Sequence, residues 1–202
     1  VFPADSGEVL VDDKPIDRNK LTIGYLPEER GMYPKKKIID QLVYFGRLHG
    51  LSKNDAVSSA KQWLERLSMD EYTNKKLETL SKGNQQKIQL AAAVMCRPQV
   101  VILDEPFSGL DPVNAMLLKS IIKELIDNGS IVFFSSHQMN YIEEFCEDIA
   151  ILNGGAIVLN GAINDIKRSY RRDMIAIDSL EYKNVLKLIF EKFSAEIVSA
   201  EL

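Results

Sequence analysis

The chain has 202 residues, 46% hydrophobic and 27% charged, which excludes a disordered chain and permits a buried core without disulfide or metal staples. Lys and Arg number 25 against 29 Asp and Glu, a net charge of −4, so no global basic excess exists to hold nucleic acid through its phosphates. The longest uncharged apolar stretch, Leu90 to Cys96, is far short of the ~20 residues of a membrane-spanning helix. In chain order, Gly7 to Val11 alternates as a short strand, ended by Asp12-Asp13-Lys14-Pro15. Leu21 to Leu26 is a second β-leaning run stopped by Pro27, and Glu28 to Lys37 is a loop. Apolar residues at helical spacing predict a helix from Ile38 to His49, closed by Gly50. Ser52-Lys53-Asn54-Asp55 opens a second helix through Leu67, with Trp63, Leu64 and Leu67 on its buried side. Gln85 to Met95 is helical. Val100 to Leu103 and Ile131 to Phe134 are continuous apolar runs, the pattern of strands buried on both faces of a parallel sheet. Asp111-Pro112 caps the helix between them, which ends at Gly129. A helix to about Cys146 follows, then a hairpin of Ile149–Leu152 and Ala156–Leu159 around Asn153-Gly154-Gly155. Asp165 to Arg172 is helical and basic, Met174 to Ile177 strand-like, and Lys183 to Phe193 an amphipathic helix. Buried strands alternating with helices argue for an α/β fold with a mostly parallel sheet.

Two cysteines, Cys96 and Cys146, lie in no metal or redox spacing and read as small buried apolar residues of a reducing compartment. The opening VFPADSGEVLVDD has neither a basic region nor a long apolar segment, so it is no signal peptide. Val1-Phe2-Pro3, with no initiator Met, reads like the interior of a protein.

Three places carry chemistry. Asp104 and Glu105 end the run Val100–Leu103, at the carboxyl edge where open α/β sheets bind ligands. Successive strand side chains point to opposite sides, so the two acids cannot play the same part. One suits Mg2+, usually through water, and the other suits polarising a water. A helix cap or a solvated turn is the ordinary alternative. Ser81, in Leu80-Ser81-Lys82-Gly83-Asn84-Gln85-Gln86-Lys87, is a good N-cap, and Gly83 leaves an amide open to close approach, which together with the helix dipole suits an anion. The alternative is an ordinary helix start. His137 follows the strand Ile131–Phe134 and lies where it can meet a phosphate or a water, whereas His49, beside Gly50, reads as a helix-end residue.

These elements occur in a fixed order with Ser108-Gly109-Leu110-Asp111 between them, and in that order the sequence resembles the ATP-binding cassette (ABC) ATPases. LSKGNQQK resembles their signature motif, with Lys82 and Asn84 at variant positions, VVILDEP resembles Walker B, SGLDP the D-loop and SSHQM the switch-histidine loop. The resemblance runs from Asp5 to about Tyr170. It implies a P-loop NTPase-like fold with a helical subdomain at about 38–80, an ABC ATPase domain over 1–165, and the start of a C-terminal accessory domain over 166–202. It also implies ATP and Mg2+ as cofactors. Glu105 would be the general base for water attacking the γ-phosphate, His137 would contact that phosphate, and Asp104 would organise Mg2+ through water. Ser81 and Gly83, with Lys82 and Asn84 in the same turn, would bind ATP held by an opposite subunit, and Asp111 would link the two sites. Glu28 stands where the family has the glutamine of its glutamine loop; a carboxylate there can take Mg2+ or water but adds charge near phosphates, and the alternative is a solvated loop acid.

None of the 11 glycines precedes a Lys, so the GxxxxGK[ST] phosphate loop is missing rather than degenerate. The chain is therefore expected to be N-terminally truncated, to leave an apolar gap where the helix after that loop would lie, and not to bind ATP usefully by itself. Tyr33-Pro34, Ile38–Leu42 and Phe45–Leu51 resemble ATPase subunits of bacterial ABC-2 type exporters. LSKGNQQK also occurs in sugar-importer ATPases, and a non-transport ABC ATPase is a further alternative; the region after Pro34 favours the exporter. The resemblance implies transmembrane permease subunits and a second ABC ATPase domain as partners, no nucleic acid, and a cytoplasmic place on the inner face of the cell membrane. Lys35-Lys36-Lys37 reads as a solvated face.

Overall fold

The computed structural model describes residues 5–11, 13–17, 21–28, 31–169, 187, 188 and 191. Two compact units make up the chain, Val1–Cys146 and Glu147–Leu202.

In the first unit, β1 (Leu10–Val11) and β2 (Lys14–Pro15) pair antiparallel. The expected strand was longer and ended at Asp12–Pro15. Instead Lys14 and Pro15 return as its partner, because Asp13 takes a left-handed φ of 58°, a conformation that Asp tolerates in tight turns. Three parallel strands follow in the order β3 (Ile23–Leu26), β4 (Val100–Asp104) and β5 (Ile131–Ser135). Tyr25, Ile102 and Phe133 align across the sheet, and Asp104 aligns with Ser135.

The β3-to-β4 crossover holds α1 (Ile38–Leu48), α2 (Lys53–Arg66) and α3 (Lys82–Val94). Ser52 caps α2 by accepting the Asp55 N–H, and Ser81 caps α3 by accepting the Asn84 N–H. The third helix thus starts three residues before the expected Gln85, at its cap. Leu64 and Leu67 are buried as expected, but Trp63 is only partly so, with the Arg66 guanidinium 4.9 Å above its ring. The β4-to-β5 crossover is α4 (Pro112–Asp127), capped by Asp111 with Pro112 in its first turn, and α5 (Met139–Phe145) follows β5. Phe107 stacks on Tyr141 of α5 at 3.8 Å between ring centroids.

Side chains alternate across the sheet. Leu26, Val101 and Leu103 are buried with Ile88, Leu90 and Val94 of α3 and Leu118, Ile121 and Ile122 of α4, forming the core. The opposite face is open: Tyr25 is 51% exposed and Phe133 59%, with Ile102 and Ile131 also exposed. The expectation that β4 and β5 are buried on both faces is therefore corrected. Their apolar runs have two apolar sides, but the helices packed on the core lie on one of them.

Arg66 of α2 forks onto Glu124 of α4, with Nη1 donating to Oε1 at 3.0 Å and Nη2 to Oε2. That guanidinium holds the Glu124 carboxyl below its ordinary value. A lowered folded-state pKa contributes stability above the unfolded value, lost as pH falls through the folded one. Both side chains are well exposed, so the coupling in a double-mutant cycle of Arg66→Ala and Glu124→Ala is about 0.2–1 kcal/mol at neutral pH. It should vanish in acid below the ordinary glutamate range; a coupling that stays constant into that range would contradict the pairing.

The second unit contains β6 (Asp148–Asn153) and β7 (Ala156–Ala162), an antiparallel hairpin, and α6 (Ile163–Ser169). Gly154 and Gly155 turn the hairpin at φ of 57° and 79°, as the Asn-Gly-Gly signal predicts. The hairpin belongs to the unit that begins at Glu147. The strand expected at Met174–Ile177 lies outside the described residues, as does all but 187, 188 and 191 of the helix expected at Lys183–Phe193.

Candidate functional site

Asp104 ends β4 with Glu105 the next residue, and Ser135 ends β5 with His137 two residues on, so parallel pairing brings all four to one carboxyl edge. Glu105 leaves the strand with a left-handed φ of 45°, a costly conformation for a residue with a Cβ. Its Oε1 accepts the His137 backbone N–H at 3.1 Å and lies 2.9 Å from His137 Nδ1. Its Oε2 is buried and has no described hydrogen-bond partner. The Glu105 side chain is 18% exposed and that of His137 74%. A carboxylate facing Nδ1 assigns the proton to that nitrogen, which leaves a lone pair on Nε2 of the neutral ring.

Asp104 is half-buried, and its Oδ1 accepts from the Ser135 hydroxyl at 2.5 Å. Among the described residues its other oxygen has no hydrogen-bond partner. No three His, Cys, Asp or Glu side chains among the described residues are grouped to hold a metal by themselves. One carboxylate with an open oxygen nevertheless fits Mg2+, which keeps several waters and takes only one or two carboxylates from the protein.

The N-termini of α3 and α4 form a second group. Ser81 caps α3 and Asp111 caps α4, the latter accepting the Asn114 N–H at 2.9 Å and bonding the Asn114 amide. These bonds, led by the Asn114 N–H, hold the Asp111 carboxyl below its ordinary value. Gly83 stands over Asn114: a Cβ on it would lie 3.9 Å from Asn114 Nδ2 and 4.0 Å from Leu110. Lys82 is exposed and Asn84 half-buried in the first turn of α3. The two groups are tied by Gln86 of α3, whose Nε2 donates to the Pro106 carbonyl at 2.7 Å, one residue past Glu105. Glu28 is exposed two residues beyond β3, and no described hydrogen bond or ion pair joins it to the acids.

The sequence pattern did not single out Ser135, Asn114 or Gln86. Asn114 was signalled by its three-residue spacing from the Asp111 cap; Ser135 becomes visible only once β4 and β5 are aligned. Burial raises the thiols of Cys96 and Cys146 above their ordinary values, away from the reactive thiolate. No helix among the described residues is long and apolar enough to cross a membrane.

The chain is similar to known proteins over much of its length. The family model described as ABC transporter matches residues 1–108, more than half of the chain. An uncharacterized ABC transporter ATP-binding protein of Alkalihalophilus pseudofirmus is 49% identical over 90% of this chain and 68% of its own length. The linearmycin resistance ATP-binding protein of Bacillus subtilis is 32% identical over 82% of this chain and 55% of its own. A solved structure of an ATP-binding subunit of an ABC transporter superposes with a TM-score of 0.67 at 27% identity, covering 72% of this chain and 60% of that one. The chain thus spans between about half and two thirds of the length of the curated relatives it matches. With the family model matching residues 1–108, which include β4 and both acids, and a relative at near one-in-two identity, the chain belongs to the ABC transporter family, as a P-loop NTPase-fold nucleotide-binding domain.

Proposed function

We propose that the protein hydrolyses ATP to drive an ABC transporter, and that the transporter is an ABC-2 type exporter. The observation that carries the hydrolytic part is Glu105: a half-buried carboxylate held through one oxygen by His137, with the other oxygen orphaned at the sheet edge. Such an oxygen suits a general base that takes a proton from the water attacking the γ-phosphate. His137 holds that base through its backbone N–H and ring, and would contact the γ-phosphate. Asp104 would hold Mg2+ through water, with Glu28 a further acid on the same edge; the ion supplies charge neutralisation to the phosphates. Ser81, Lys82, Gly83 and Asn84 would meet ATP on a second ABC domain, because a helix N-terminus favours anions, and Asp111 would connect the two sites.

Support for export comes from the sequence after Pro34 and from a 32% identical relative whose name is linearmycin resistance. In this reading the helical subdomain, about 38–80, docks transmembrane permease subunits on the cytoplasmic face of the membrane, residues 1–165 form the ATPase domain and 166–202 begin an accessory domain. The open apolar face of Tyr25, Ile102 and Phe133 supports a further covering element such as the helix of a phosphate loop. The test is phosphate release by the complete gene product, assembled with its membrane subunits in lipid vesicles. Saturable, Mg2+-dependent release is expected; absence of both release and ATP binding would remove the reading.

A further inference from the structure

Ser135 is the last residue of β5 and lies directly opposite Asp104. Its hydroxyl donates to Asp104 Oδ1 at 2.5 Å and accepts the Glu105 backbone N–H at 3.0 Å. One side chain therefore touches both acids, one through its carboxylate and the other through its amide. A hydroxyl has one proton and two lone pairs, so both bonds can form at once, and the donation to a charged acceptor polarises the oxygen. The amide it receives belongs to the residue whose φ is +45°. Strained backbone of this kind persists only where its surroundings over-determine it. Around Glu105 those surroundings are three: the Ser135 hydroxyl at the amide, the Ser108 N–H on the carbonyl at 3.0 Å, and His137 at the carboxylate; only the first of them also holds Asp104. Without the turn at Glu105, strand alternation would send its side chain to the face opposite Asp104 and away from His137.

We propose that Ser135 is the positioning residue for both acids. Its hydroxyl ties down one oxygen of Asp104, leaving the other for a cation, and pins the amide that keeps Glu105 turned toward His137. It touches no reacting atom. Its consequence for turnover rests on the ATP-hydrolysis reading above; its structural part does not.

The test uses the complete gene product with Ser135→Ala, Ser135→Cys and Ser135→Thr, and Glu105→Gln as a reference. Amide hydrogen exchange at Glu105, without nucleotide, should speed up by roughly tenfold in the Ala and Cys variants, the scale of one hydrogen bond, and stay near wild type in the Thr variant. Phosphate release at saturating ATP should need severalfold more free Mg2+ in the Ala and Cys variants. Their kcat should fall about tenfold or more with KM for ATP little changed, and Ser135→Thr should recover most of both. Cys fills the space of the hydroxyl with a thiol that is only a weak donor and acceptor, so a loss it shares with Ala is not the effect of a cavity. Wild-type exchange at Glu105 in Ser135→Ala would overturn the proposal. So would faster exchange with unchanged Mg2+ dependence and kcat, and so would a Thr variant as impaired as Ala. If the wild type releases no phosphate, or Glu105→Gln keeps its turnover, the hydrolysis reading fails instead. The exchange comparison then decides the positioning role by itself.

Discussion

Glu105→Gln in the complete protein should lower ATP turnover by about 10²–10⁴-fold, the range attributed to a positioned general base. Gln has nearly the shape of Glu, and its amide oxygen can still accept the His137 N–H that now meets Oε1 at 3.1 Å. What it cannot do is take a proton on the position of Oε2, the buried oxygen without a described partner. Binding of ATP depends on other groups and should be retained, so the variant separates the two steps: KM or Kd holds while kcat collapses. The check is phosphate release at saturating ATP beside equilibrium binding of the nucleotide. Turnover within a few-fold of wild type would remove Glu105 as the base; loss of binding together with turnover would mean that the substitution had disturbed the edge of the sheet.

Gly24→Val should destabilise the first unit by more than about 3 kcal/mol, at the upper end of overpacking. A Cβ at Gly24 would stand 2.1 Å from the Ala93 carbonyl oxygen, 3.0 Å from Pro98 Cγ and 3.1 Å from the Ala93 carbonyl carbon. The nearest obstacle is backbone of α3, which cannot swing aside as a side chain can. Relief requires moving α3 off β3, and α3 carries Ile88, Leu90 and Val94 of the core. Gly83→Ala is the internal contrast. Its Cβ would meet only Asn114 Nδ2 at 3.9 Å and Leu110 at 4.0 Å, ordinary contact distances, and it lies in the first turn of a helix where Ala costs nothing sterically. Its midpoint in urea should shift little, by less than about 1 kcal/mol in stability. Similar midpoints for the two variants would refute the steric account.

The close approach at Gly24 has no sequence signature. A glycine inside a β-leaning run signals a bulge or a near neighbour, but not which backbone comes near. The elements themselves were far more legible. Ser52, Ser81 and Asp111 each cap the helix that their spacing predicted, because a cap is a bond across three residues and needs no distant partner. The runs Val100–Leu103 and Ile131–Phe134 became parallel strands for a similarly local reason: consecutive β-branched and large apolar residues leave little else. Trp63 departs from its expected burial because burial depends on what lies across from it: it packs only partly against the core, with the Arg66 guanidinium over its ring.

The site divides along the same line. Residue types and order alone gave the two acids, the histidine, the two caps and the resemblance to ABC ATPases, since each motif is a short stretch whose chemistry lies in its own side chains. How those residues act on one another was decided by the tertiary structure. The left-handed backbone of Glu105, its hold on His137, the Ser135 hydroxyl between the acids and the Gln86 bond to Pro106 all depend on the β4–β5 alignment or on where α3 lies. Strand register and helix placement are set by summed apolar burial over the whole core, a quantity no single stretch of sequence contains.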